Sequence, residues 1–120
     1  MATLSAKKII EDGLTGSTTA CNSGGDEFVN SGVEFLKFVN TDSDTYTVSV
    51  TAQVTDIRHQ NYGKLTKSNV SKTVAQNETM FMGPFKQNAF NDTNNKVQIT
   101  YSGTGCCTNM TVELLYLDPQ

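Results

Sequence analysis

Polar and apolar positions alternate most strictly in the stretch Tyr46–Thr55, Y-T-V-S-V-T-A-Q-V-T. Tyr46, Val48, Val50, Ala52 and Val54 fall on one side; Thr47, Ser49, Thr51, Gln53 and Thr55 fall on the other. Successive side chains of a strand point to opposite faces, so this period of two predicts a strand with one dry face and one wet face. The threonines fit that assignment, because a branched Cβ suits a pleated surface and disfavours helix. A dry face needs a cover, most simply a second sheet.

Similar signals recur along the chain. Strands are predicted over Asp26–Asn30, Val33–Val39, Ser68–Ala75, Thr79–Gly83, Val97–Tyr101 and Met110–Leu117, with a short one around Thr18–Cys21. In the last long strand, Val112, Leu114 and Tyr116 share a face. Turns are expected at Ser23–Asp26, Asn30–Gly32, Asn61–Gly63, Asn77–Glu78, Asn91–Asn95 and Ser102–Thr108. Residues 3–13 predict the single helix: Ser5 as N-cap, Ala6–Asp12 as one or two turns and Gly13 as the residue that ends it. Glu11 and Asp12 stand at the unfavourable end of its dipole. The expected organisation is an N-terminal helix and extended arm over 1–24, then a β-sandwich over 25–120. Evenly spaced strands with turn signals between them indicate an all-β antiparallel sandwich or jelly roll of about seven to eight strands.

Composition narrows the function. With 120 residues the chain forms one domain able to bury a core without metal or disulfide help. A net charge of −3 argues against a nucleic-acid binder, which needs cations to displace counterions from phosphate. No run approaches the length of a membrane span, and Met1–Ser5 lacks the apolar core of a secretory signal, so synthesis in a host cytoplasm is expected. In that setting the N-x-S/T matches at Asn69, Asn77, Asn91 and Asn109 carry no glycan, and this much Asn, Ser and Thr supplies such matches by chance.

Candidate chemistry is thin. The three cysteines, Cys21, Cys106 and Cys107, form no C-x-x-C pair. A link from Cys21 to one of the others is open, with buried free thiols the expected state. His59 is the lone histidine, which leaves a zinc site short of ligands. It would pair with Cys21 or Cys107 as base and nucleophile only if the fold brought them together; a solvated surface group is expected. Asp42 and Asp44 invite a calcium reading, yet their loop lacks the glycine and distal glutamate of a helix-loop-helix site, so a hairpin connection built on Asx turns is expected. No catalytic residue, cofactor or metal is assigned. Phe81, Phe85 and Phe90 are expected in the core; the alternative places one of them at a subunit contact with Met80 or Met82.

The run Gly25–Leu36, G-D-E-F-V-N-S-G-V-E-F-L, resembles small proteins encoded beside the major capsid gene of tailed phages. Gly83-Pro84-Phe85, Phe90-Asn91-Asp92, Val97–Ser102 and the N-terminal Leu4–Leu14 are similar to the same type. The pair Cys106-Cys107 departs from that pattern, which has small polar or β-branched residues there. The resemblance implies a head decoration or cement protein: a β-sandwich, often trimeric, fixed outside the expanded shell with the major capsid protein as partner. On that reading, capsid or subunit contacts are expected from Leu4, Ile9, Ile10, Leu14, Met80, Met82 and Phe85, and residues 1–24 are the part that reaches a neighbour. The alternative is a carbohydrate- or receptor-binding β-sandwich, such as a small fibre or lectin-like module. A tail-side adaptor is a third reading.

Overall fold

The computed structural model describes residues 2–10, 13–14, 16, 18–53, 56–59, 63–66, 69–103, 107 and 109–117, with backbone alone for residue 2 and for 56–59 and 63–66. Its strands are β1 (Ala2–Leu4), β2 (Ala6–Ile9), β3 (Thr19–Ala20), β4 (Asp26–Val29), β5 (Phe35–Asn40) and β6 (Tyr46–Val50). After these come β7 (Asp56–His59), β8 (Gly63–Thr66), β9 (Val70–Val74), β10 (Thr79–Met82), β11 (Lys96–Ser102) and β12 (Met110–Leu117), with a single helical turn, α1 (Gln87–Phe90), before β11. One sheet runs β1-β4-β11-β6-β9. The other runs β10-β5-β12-β2, with β3 also on β12, and β7-β8 is a separate ribbon. The chain is therefore an all-β sandwich of two mixed sheets. That strand order establishes the sandwich and not the narrower jelly roll.

Alternation does what the pattern predicts. On β6, Tyr46, Val48 and Val50 are buried while Thr47 and Ser49 are half-buried. On β11, Val97 and Ile99 face the same core, and from the opposite sheet Leu36 and Phe38 of β5 and Met110, Val112 and Leu114 of β12 close onto them. Phe38 meets Tyr101 edge-on across the layers, ring centroids 6.1 Å apart. Edge-to-face aromatic pairs at this separation add to the stability that burial of their area supplies. Val54 and Thr55, predicted to continue β6, lie outside the described residues; β6 itself stops at Val50 and Ala52 remains buried. The turn expected at Asn61–Gly63 lies between β7 and β8, with residues 61 and 62 outside the described residues.

Among the described residues, strand replaces the predicted N-terminal helix. Ala6–Ile9 is an extended strand, parallel to β12 with Ala6 opposite Leu114 and Ile9 opposite Leu117. Residues 11 and 12 of the predicted helix lie outside the described residues. A helix of one or two turns is marginal on its own, and its local signals lose to the open hydrogen-bonding edge of β12. Gly13 keeps a turn role, with φ +97° and its N–H donated to the Ile10 carbonyl at 2.9 Å. The arm is thus integrated into both layers. Residues 2–4 pair in parallel with β4 in one sheet, the chain crosses at Ser5, and residues 6–9 join the other sheet. β3 then returns antiparallel along the first part of β12.

The helical turn α1 lies between Phe85 and β11, in a stretch for which the pattern predicts no strand. No side chain caps it at Lys86. Asn30 secures it instead: its Nδ2 donates to the Phe85 carbonyl and to Asn91 Oδ1, while Gln87 Nε2 and Asn91 Nδ2 both donate to the Asn30 carbonyl. Ala89 and Phe90 bury against the core, Phe85 and Phe90 meeting at 5.4 Å.

Candidate contact surface

The seven residues expected at contacts divide between the core and the surface. Leu4 on β1 is buried, and so are Met80, Met82 and Phe85. Ile9 is half-buried beside Leu117, whereas Ile10 and Leu14 are 46% and 39% exposed. The alternation on β10 turns both methionines inward, so Phe81 between them faces solvent at 62% exposure. Phe85 and Phe90 are core residues, as expected, and Phe81 is not.

The outer face of the second sheet follows from its register. Phe35 lies opposite Leu115, Lys37 opposite both Glu113 and Phe81, and Val39 opposite both Thr111 and Thr79. Leu115 and Glu113 are buried although they point away from the core. The arm accounts for Glu113: a Cβ added at Gly16 would stand 3.0 Å from its Oε1. Leu117 remains 61% exposed next to Ile9. The face therefore carries exposed apolar points at Phe81 and Leu117, and the arm adjoining it carries Ile10 and Leu14. Leu117 went unpredicted because M-T-V-E-L-L-Y-L is apolar on both faces near its end, and pattern alone assigns only one of them to the core. A second apolar region lies where the arm crosses between sheets. There a groove of about 720 Å³ is lined by Leu4, Ala6, Val29, Val33, Leu114 and Tyr116 among others.

Polar side chains serve the frame. Glu27 on β4 accepts from Lys96 Nζ (2.9 Å), Gln98 Nε2 (3.1 Å) and Thr3 Oγ1 (3.1 Å), tying β1, β4 and β11 together. The Lys96 bond, with those from Gln98 and Thr3, holds its carboxyl below the usual range. Asp92 accepts the N–H groups of Lys96 and Asn94 and a bond from Gln98, and is also held low. Asx turns recur, with the side-chain oxygens of Asn22, Asn30, Asn40 and Asp92 each accepting the N–H two residues on. In the Asn40–Thr45 connection, Asp42 accepts the Tyr46 hydroxyl and the Ser43 N–H. Its carboxyl is lowered chiefly by Tyr46, whose phenol is pushed up to about 12.

One polar cluster is deeply buried. Asp26, fully shielded from solvent, accepts the Tyr101 hydroxyl (2.6 Å) and the Asn22 N–H (3.3 Å) on Oδ2. Its Oδ1 has no hydrogen-bond partner in the structure. The Cys21 thiol lies near the same phenol, and burial pushes it up to about 12. A thiol so shifted is not a thiolate nucleophile at neutral pH. The expectation of free buried thiols holds for Cys21; Cys107, also buried, is disulfide-bonded instead. His59 lies on β7, and its side chain is outside the described residues. Among the described residues, no group of three or more His, Cys, Asp or Glu could hold a metal ion, and no helix is long and apolar enough to cross a membrane. Comparison with protein-family models, curated proteins and solved structures finds no match.

Proposed function

We propose that this chain is a virion structural protein, a decoration or cement protein that binds the outside of a phage head and braces contacts between major capsid subunits. The observation that supports the reading most is the set of exposed apolar side chains Ile10, Leu14, Phe81 and Leu117 on and beside one face of a slab whose described polar groups mostly brace the slab itself. Such a body works by burying surface. Covering a largely exposed leucine or phenylalanine contributes about 1–2 kcal/mol, and copies repeated around a symmetric shell multiply that modest figure through avidity. The partner on this reading is the major capsid protein, the protein acts as a homo-oligomer, and its place is the capsid exterior after synthesis in the host cytoplasm.

The test is binding to heads that lack the protein. Purified wild-type chain should co-sediment with them in stoichiometric amounts, and Leu117→Asp or Ile10→Asp should weaken binding at least about tenfold without changing the fold. Absence of the protein from purified particles, together with no binding to undecorated heads, would overturn the reading. Saturable binding to a glycan array would favour a carbohydrate-binding module.

A further inference from the structure

Among the described residues, β1 and β9 end one strand order and β10 and β2 the other, with the two-residue β3 beside β12, and of these four end strands three carry protection. β9 presents Lys72 and β2 carries Lys7 and Lys8, while β1 is only three residues long. Lysines and short strands are the usual devices that stop an edge from pairing with another chain. β10 has neither charge nor proline: its sequence is T-M-F-M, and its central outward side chain is the exposed Phe81. Among the described residues, no strand pairs with its outer edge either. The Asn40 N–H donates to the Glu78 carbonyl at 3.1 Å, which sets the phase of the β5–β10 ladder. Met80 and Met82 therefore turn their backbone groups toward β5, and Thr79 and Phe81 turn theirs outward.

We propose that this edge pairs antiparallel with the same edge of a second copy. Thr79 stands opposite Phe81 of the second copy about a two-fold axis at Met80, which makes one continuous sheet across two molecules. The strand suits itself as a partner. Its two outward residues match each other under a two-fold, and the two Phe81 rings become diagonal neighbours at roughly 7–8 Å, within aromatic reach. Charge permits the seam, because Glu78 falls opposite Met82 of the second copy. The two Glu78 side chains are then four positions apart, roughly 13 Å at about 3.3 Å per residue, beyond the screening length of about 8 Å. Length favours a second copy over a longer foreign strand. Asn77 at φ +61° and Gly83 at φ +112° break the extended edge on either side, leaving four residues to pair. A seam this short buries less than a standard interface, so dissociation is expected between about 10 µM and about 1 mM.

Purified full-length chain tests this without any capsid, so its outcome is independent of the decoration reading. Sedimentation velocity should show the weight-average mass rising reversibly toward twice the monomer over that range. The Thr79 and Phe81 amides should gain exchange protection in step. F81K should weaken self-association at least about tenfold with an unchanged circular dichroism spectrum, T79K should do the same, and V29K, at an exposed position on β4 of the other sheet, should leave it intact. A wild-type chain still monomeric at the top concentration would overturn the proposal, as would a folded F81K that dimerises like wild type. Protection of the edge only after adding undecorated heads would also overturn it, by showing that a partner's strand occupies β10.

Discussion

Replacing Tyr101 by Phe removes one oxygen and keeps the ring that meets Phe38 edge-on. That oxygen donates at 2.6 Å to Asp26, whose Oδ1 already lacks a partner and whose remaining bond is the Asn22 N–H at 3.3 Å. A hydrogen bond to a carboxylate contributes about 1.5–3 kcal/mol, and removing one side of it leaves the other desolvated. Together these give an expected loss of about 2–3 kcal/mol. Unfolding entropy of about 2.1 cal/mol/K per residue converts that loss into a fall in Tm of about 8–12 °C. Urea denaturation should show the same destabilisation with an unchanged m-value, since the exposed surface does not change. A fall in Tm of less than about 3 °C would refute the claim that Tyr101 is what makes a buried Asp26 tolerable.

Other perturbations test other joints. Leu4→Ala should cost about 2–4 kcal/mol, read by urea titration, because Leu4 carries the arm's burial in the core; an effect under about 0.5 kcal/mol would mean that β1 is not packed there. Gly103→Ala should lower Tm by more than about 4 °C, since a Cβ there stands 2.6 Å from Tyr46 Cδ1 and 3.0 Å from the Thr45 carbonyl at φ +142°. Stability should fall in acid. Glu27 has a depressed carboxyl pKa, so its contribution is present above the unfolded value of 4.5 and is lost as pH drops through the lower folded value. Glu27→Gln should accordingly flatten the Tm–pH profile below about pH 5, and an unchanged slope would count against the Lys96 bond. Cys21 should resist iodoacetamide at pH 8 in the native protein and alkylate in denaturant, as mass spectrometry can show; rapid native labelling would contradict its burial and raised pKa of about 12.

The interior was legible because its strands carry their own instructions. Tyr46–Val50 and Val97–Tyr101 alternate cleanly enough to assign a face without knowing the neighbours. The arm was not legible. A-K-K-I has no clear period, and the partner that makes it a strand is β12, at the other end of the chain, so local helix signals from Ser5 and Gly13 dominated the reading. The contact surface was half hidden for a related reason. T-M-F-M is apolar at three of four positions, and only its register with β5 decides that Met80 and Met82 face in and Phe81 faces out. The helical turn at Gln87–Phe90 owes its place to Asn30, distant in sequence, and left no capping signal of its own.

Because β12 follows every other strand of its sheet in the sequence and is also its middle, with β5 on one flank and β2 on the other, that layer has no centre until residues 110–117 have been made. The opposite layer, complete by β11, can assemble first, and the arm's first strand can already lie along β4. A nascent chain stalled before residue 110 would then display one finished leaf with its greasy side bare. Such an intermediate should attract holding chaperones, and chains truncated before residue 110 should be degraded far faster than chains that include β12.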